Sequence, residues 1–232
     1  MLPLFILWLI RRYRHAAKGL PATAKSAENS RRRLPRYTPI ALILVLLLFV
    51  FNGHSQTRSL NYHIIRNGSK VGSLHFTQSV VSGINYLEME SEVKTRFIFA
   101  FTISVKEEAV YSNGILLRSS FYRLTNGNEK ANKQHLLGNN QYIIQTGKNS
   151  AVVKNYPITY NMLSLYSMEP VNVDKVYSDS FETFVSIQKT GEHRYKISLP
   201  DGSYNYYYYK QGVLTMVEVH HSLYSANIVL AN

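Results

Sequence analysis

Four dipeptides, Asn67-Gly68, Asn113-Gly114, Asn126-Gly127 and Asp201-Gly202, constrain what this chain can become. Each tolerates positive φ at both positions, which a tight primed turn between antiparallel strands requires. Gly83, Gly138, Gly147, Gly191 and Gly212 interrupt the sequence at further points. The runs between these breaks are rich in Val, Ile, Tyr, Phe and Thr, residues suited to a pleated, half-buried surface. Leu87, Met89, Ser91 and Val93 alternate with Glu88, Glu90, Glu92 and Lys94. Period two with one charged face describes a strand with one side in water. Tyr195, Ile197 and Leu199 alternate with Arg194, Lys196 and Ser198 in the same way. Val213, Thr215, Val217 and Val219 alternate with Leu214, Met216, Glu218 and His220, so both faces of that strand are partly apolar.

Strands are expected over 58–66, 70–80, 84–95, 98–111, 115–124, 129–137, 141–145, 150–154, 175–178, 181–188, 193–199, 203–210 and 213–224, with a further one at 227–230. The run 97–101 is apolar throughout and reads as a central strand or a bend where the sheet swaps faces. One segment departs from period two. Ile158, Met162, Leu165, Tyr166 and Met168 have helical spacing, with Pro157 as a start signal and Pro170 as a stop. A short helix near 158–168 is therefore expected to plug or cover the sheet, because an apolar sheet face must bury itself on something. The fold class is all-β with one short helix: a highly curved antiparallel meander forming a half-barrel or barrel.

Charge separates this domain from what precedes it. The chain has 232 residues with 26 Lys+Arg, 14 Asp+Glu and a formal charge of +12. Residues 1–55 hold nine of the basic side chains and one acid, so +8 lies there and +4 in residues 56–232. Arg31-Arg32-Arg33 and Arg36 precede an uncharged run of about 13 residues, Pro39–Phe51, which Asn52-Gly53-His54-Ser55 follows. A positive flank, a short apolar run and small residues at the −3 and −1 positions form a secretory signal, with cleavage between Ser55 and Gln56. The run is shorter than the roughly 20 residues that span hydrocarbon. A retained signal-anchor, with membrane contact through residues 39–51, is the alternative. Residues 1–30 are expected to be a mis-assigned or unstructured leader, residues 31–55 the signal, and residues 56–232 a single β domain. The basic run is explained by topology, so no nucleic-acid partner is expected. With no cysteine in the chain, disulfides, thiolate metal sites and lipidation at the cleavage point are excluded.

Several of these segments carry a resemblance. They are the first hairpin, Tyr62 with Asn67-Gly68-Ser69-Lys70-Val71-Gly72-Ser73-Leu74; Glu88-Met89-Glu90-Ser91-Glu92-Val93-Lys94; and Asn113-Gly114-Ile115-Leu116-Leu117-Arg118-Ser119-Ser120. The others are Asn161-Met162-Leu163-Ser164-Leu165-Tyr166 and Tyr195–Tyr206. Together they resemble an uncharacterised family of exported bacterial β-proteins, itself similar to a larger group of periplasmic β half-barrel domains of unknown function. The resemblance covers about residues 58–230. It implies a curved antiparallel sheet with a short helix in the envelope of a Gram-negative bacterium. It supplies no catalytic residues, and the long leader is not expected of the family.

Motifs for chemistry are sparse. Metalloprotease, nucleophile-elbow, phosphate-loop and dinucleotide signatures are missing. Gly68-Ser69-Lys70 belongs to a hairpin turn, and the sequon Asn67-Gly68-Ser69 is explained by the same turn. Glu218 and His220 share a strand face, with His221 on the other; a carboxylate and an imidazole at that spacing can share a proton or a metal, but a solvated face with an incidental pair is the expected reading. His63 and His75 lie on strands joined by the first hairpin and could pair across it, but ordinary packing is the expected reading. Glu88, Glu90 and Glu92 form a ladder that Lys or Arg on the next strand would neutralise. No catalytic residue, cofactor or metal site is assigned.

The stretch Tyr204-Asn205-Tyr206-Tyr207-Tyr208-Tyr209 is the strongest binding candidate. Alternation sends Tyr204, Tyr206 and Tyr208 to one face and Tyr207 and Tyr209 to the other. One set can pack in the core, while the other forms an aromatic platform for sugar rings or lipid edges. The expected function is that of an exported, non-enzymatic envelope protein. It would bind a lipid, a glycan or an envelope protein on a curved sheet. The alternatives are a carboxylate-dependent enzyme on envelope polysaccharide, using Glu88, Glu107 or Glu218, and a purely structural assembly factor.

Overall fold

A computed structural model describes residues 56–96, 100–147, 149–153 and 157–231. The leader, the signal run and residues 97–99 lie outside the described residues. The strands are β1 (Gln56–Arg66), β2 (Ser69–Val81), β3 (Ile84–Arg96), β4 (Ala100–Ser112), β5 (Ile115–Thr125), β6 (Asn128–Gly138) and β7 (Gln141–Thr146). They continue as β8 (Asn149–Val153), β9 (Lys175–Ser178), β10 (Thr183–Gly191), β11 (Arg194–Ser198), β12 (Tyr204–Lys210), β13 (Val213–His221) and β14 (Tyr224–Leu230). All 14 belong to one antiparallel sheet in the order β8-β7-β6-β5-β4-β3-β2-β1-β14-β13-β12-β11-β10-β9. Each strand therefore pairs with its sequence neighbours, except where β1 joins β14 and where the chain leaves β8 for β9. The sheet is curved and unclosed, with β8 and β9 at its two ends. Among the described residues no helix is long and apolar enough to cross a membrane.

Period-two reading holds through most of the sheet. Leu87 and Met89 are buried, whereas Glu90 and Glu92 are exposed. It fails where one strand carries an extra residue. Tyr208 pairs with Met216 but Tyr209 pairs with Leu214, so Thr215 bulges out. The bulge turns Leu214 and Val217 to the same side, and both are fully buried. Strict alternation had placed them on opposite faces. The same device at Leu117 puts both Leu116 and Ser119 inside.

The helix is shorter than its sequence signal. It is a 3-10 helix over Met162–Tyr166, and Asn161 caps it in place of Pro157. The Asn161 side chain accepts from the Ser164 amide at 3.1 Å, and the Asn161 amide donates to Ser164 Oγ at 3.4 Å. This reciprocal cap satisfies donors that would otherwise be buried without partners. Arg58 Nη1 closes the other end on the Ser167 carbonyl at 3.1 Å. Leu163 and Leu165 are wholly buried, and Tyr166 packs against the rings of Tyr62 and Phe76 at 5.6 and 5.8 Å. The helix plugs one end of the curved sheet's inner face.

Gly72 marks a close backbone approach. A Cβ built there would lie 2.1 Å from the Glu92 carbonyl oxygen of β3. Gly68 is different: its surroundings are open, but its φ is +76°. Gly72→Ala is expected to cost about 3 kcal/mol, because sheet backbone must move. Gly68→Ala should cost about 1 kcal/mol, the left-handed penalty alone. Urea unfolding midpoints compare the two; equal losses would show that the approach at Gly72 is not tight.

Candidate functional site

Three features compete for a functional reading: a buried polar seam, an aromatic stripe outside, and a carboxyl on the inner face.

The seam lies where the turn after β9 meets strands from the other arm of the sheet. Asp179 is 3% exposed and accepts hydrogen bonds from Ser119 Oγ of β5 and from Asn161 Nδ2, the latter at 2.8 Å. His135 of β6 is also buried, and its Nδ1 stands 3.4 Å from Asp179. Lys133 of β6 donates to the Ser180 carbonyl at 2.6 Å and pairs with Glu182 at 2.8 Å. Thr146 of β7 donates to Glu182 at 2.9 Å. The turn 179–182 is thus clasped by β5, β6 and β7. Burial raises the Asp179 carboxyl and lowers the His135 imidazole, while their mutual attraction opposes both shifts. Ser119, His135 and Asp179 are the residue types of a hydrolytic triad. Here, however, the serine donates straight to the carboxylate and the imidazole does not stand between them, so the arrangement is that of a latch. Sequence patterning passed over all of these residues, because each carries an ordinary polar type on a strand or turn.

The aromatic stretch divides as its alternation requires. Tyr207 and Tyr209 are core residues, 3% and 6% exposed. The Tyr209 hydroxyl donates to the Leu165 carbonyl of the plug at 2.9 Å. Neither ring is open to a ligand from outside. Tyr204, Tyr206 and Tyr208 lie half-buried on the outer face. The Arg194 guanidinium sits 4.2 Å from the Tyr206 ring, and Lys196 Nζ is 4.5 Å from that of Tyr204. His220 stacks on Tyr204 at 4.7 Å, and its Nε2 is 3.7 Å from Glu218. These rings are already engaged by the protein's own cations.

The acidic ladder is likewise satisfied. Lys106 of β4 meets Glu88, Glu90 and Glu108 at 2.8, 3.2 and 3.3 Å, and Lys94 meets Glu92 at 2.9 Å. An outer-face trough of about 660 Å³ runs past these groups. His75 in it bonds its cross-strand neighbour Asn61 at 2.7 Å, and His63 lies opposite Ser73. Among the described residues no three His, Asp or Glu side chains gather as metal ligands.

The three carboxylates considered for catalysis do not share a groove. Glu88 and Glu218 face outward. Glu107, paired across strands with Met89 and Phe121, faces the core. Asp179, Tyr166 and Tyr207 all lie close enough to interact with its charge. Burial, and secondarily the Asp179 charge, pushes Glu107 up to about 8. The side chain nonetheless keeps partial solvent access. Elsewhere on the inner face Val93, Val105, Val219, Ala226 and Ile228 pack beside the core without being fully buried.

These features define the chain's class: a β-barrel-like domain built on one curved, unclosed antiparallel sheet, plugged at one end and latched across its arms. The model of the domain of unknown function DUF6134 matches residues 62–231, and the chain belongs to that family. A crystal structure of a β-barrel-like protein of the domain-of-unknown-function family DUF1849 from Brucella abortus is similar, at 8% identity and a TM-score of 0.49. The match covers 75% of this chain and 95% of that one. No curated protein matches the chain.

Two outcomes are expected. Asp179→Ala strands Ser119, Asn161 and His135 in the interior and should cost about 3 kcal/mol or more. Glu182→Ala, at the more open end of the seam, should cost about 1 kcal/mol. Chemical denaturation distinguishes the two; equal costs would show that the seam does not depend on its buried carboxyl. The second outcome concerns pH. Folded Glu107 keeps its proton up to about pH 8, whereas its unperturbed value is 4.5. The folded state therefore binds more protons in that window, and its stability falls as pH rises from 4.5 to 8. Glu107→Gln removes this loss while leaving Asp179 in place. The variant's stability margin over the wild type should widen towards pH 8; parallel stability–pH curves would show an unperturbed carboxyl.

Proposed function

We propose that the chain is an exported, non-enzymatic binding module of the bacterial envelope, holding an apolar or amphipathic ligand against the inner face of its sheet. One observation carries this reading: the apolar wall formed by Val93, Val105, Val219, Ala226 and Ile228 faces inward but is not fully covered. A sheet that served only as scaffold gains by burying such residues completely, at roughly 25 cal/mol per Å². Concave surfaces with a few polar groups are the usual form of small-molecule sites. Export is supported by the Arg-rich flank, the short apolar run and the small residues before Gln56. The outer stripe of Tyr204, Tyr206 and Tyr208 is a weaker candidate, since Arg194, Lys196 and His220 already occupy its rings.

Native mass spectrometry of protein purified from an envelope fraction tests both parts. The expected species begins at Gln56 and carries a small amphipathic adduct that organic solvent extracts. It lacks Trp8, the single tryptophan, and so absorbs through tyrosine alone. A ligand-free protein with a dry, fully packed interior would overturn the binding reading. A product that retains residues 1–30 would overturn processing at Ser55.

A further inference from the structure

We propose that the free edge of β8 is a docking site for a second copy of this chain, the two β8 strands pairing antiparallel about Val152 to give a closed dimer.

Three observations support this. First, the sheet has one open end. The β9 end is taken up by the segment before the plug, where Tyr177 donates to the Tyr160 carbonyl at 2.9 Å and pairs with Asn161 as a parallel bridge. By contrast, β8 pairs with β7 alone, and its other edge has no backbone partner among the described residues. Such an edge recruits another strand unless something blunts it. Nothing within the strand does so: Asn149-Ser150-Ala151-Val152-Val153 has no charge and no proline. Second, an aliphatic row runs off that edge. Leu136 of β6 lies opposite Ile143 of β7, and Ile143 opposite Val152 of β8. The three are 56%, 42% and 58% exposed. The next row on the same face, Ser120, Gln134, Gln145 and Ser150, is polar. Third, these two features specify the missing partner. It is extended, because backbone groups have to be paired; it is uncharged, and it sets an aliphatic side chain opposite Val152. Among the described residues, β8 itself is the free strand edge that meets this description.

Pairing about Val152 makes the row continuous, with Leu136, Ile143 and Val152 of one copy followed by the same three residues of the other in reverse. Two-fold symmetry sets like residues against one another, which an uncharged strand tolerates. Lys148 and Lys154 flank the strand in sequence and, by sequence count, would oppose each other only in a pairing centred on Ala151, which their repulsion disfavours. With one open end per chain, association stops at two copies; a sheet free at both ends would grow without closing. Five residues a side is well below the roughly 20–30 of a standard interface, so the dimer is expected to be reversible and concentration-dependent.

Sedimentation velocity on the purified protein is expected to show a monomer–dimer equilibrium and no larger species. Val152→Glu and Val152→Lys should each weaken association at least tenfold, since like charges then meet at the two-fold axis. Mixed one to one, the two variants should recover it as a heterodimer, which also shows that both have folded. The chain has no cysteine, so a single introduced thiol reports its own neighbour. Val152→Cys should form a disulfide-linked dimer under mild oxidation. Ile143→Cys, also exposed but about 14 Å from its mate across three strand spacings, should not. A protein that stays monomeric up to about 1 mM overturns the proposal. So does a dimer that tolerates Val152→Glu, or one that the charged variants abolish and their mixture does not restore. Equal crosslinking at positions 143 and 152 overturns the strand pairing.

Discussion

The carboxyl of Asp179 is the interaction on which this architecture turns. An unclosed sheet of 14 strands exposes two edges and leaves a long inner face to cover. Backbone pairing does not join β8 to β9; the arms meet through the segment before the plug, where Leu116 of β5 donates to the Ile158 carbonyl at 2.8 Å and Tyr177 of β9 to the Tyr160 carbonyl at 2.9 Å, and through side chains. Asp179 ties β5 to the turn after β9 and, through Asn161, to the N-terminus of the plug. The latch and the plug are thus one polar network. Tyr111 extends it, since its hydroxyl donates to Asn161 Oδ1 at 2.9 Å. Such networks are costly when half satisfied and stiff when complete.

Tyrosine does much of the remaining fastening, which explains its abundance. Tyr62 reaches the Leu214 carbonyl at 3.1 Å, Tyr142 the Leu116 carbonyl at 2.8 Å, and Tyr160 the Met168 carbonyl at 2.6 Å. In each case the ring fills core volume while its hydroxyl satisfies a backbone acceptor that the curved sheet or the plug leaves over. An aliphatic core would fill the same space but orphan those carbonyls. The run at Tyr204–Tyr209 shows both uses in one strand, with Tyr209 bonded to the plug and the outer rings stacking under Arg194 and Lys196.

Much of the fold was legible because its signals are local. Asn-Gly turns and period-two charge are properties of a few adjacent residues, and the ladder's neutralisation by Lys106 follows from strand adjacency. What stayed hidden depends on register between distant segments. The bulge at Thr215 has no sequence mark, and it brings both Leu214 and Val217 to the core face. The plug's true cap, Asn161, was masked by the stronger proline signals on either side. Asp179 lies 60 residues from Ser119, and no spacing rule joins them. Glu107 was visible only as one acid in a strand with two. Its neighbours Lys106 and Glu108 lie on the opposite face, in contact with each other.

That position makes the two interior acids instructive as a pair. Both are raised by burial. Asp179 offsets the cost with bonds that fasten the fold, so its retention needs only a structural reason. Among the described residues Glu107 has no such bonds, and Met89 or Phe121 beside it shows what an apolar residue at this depth looks like. A methionine in its place would pack the same wall without the desolvation penalty. Residues that lower stability without fastening anything concentrate where a protein meets its ligand. The latch joins the arms of the sheet to the plug, whereas Glu107 carries the cost of burial with no such bond among the described residues.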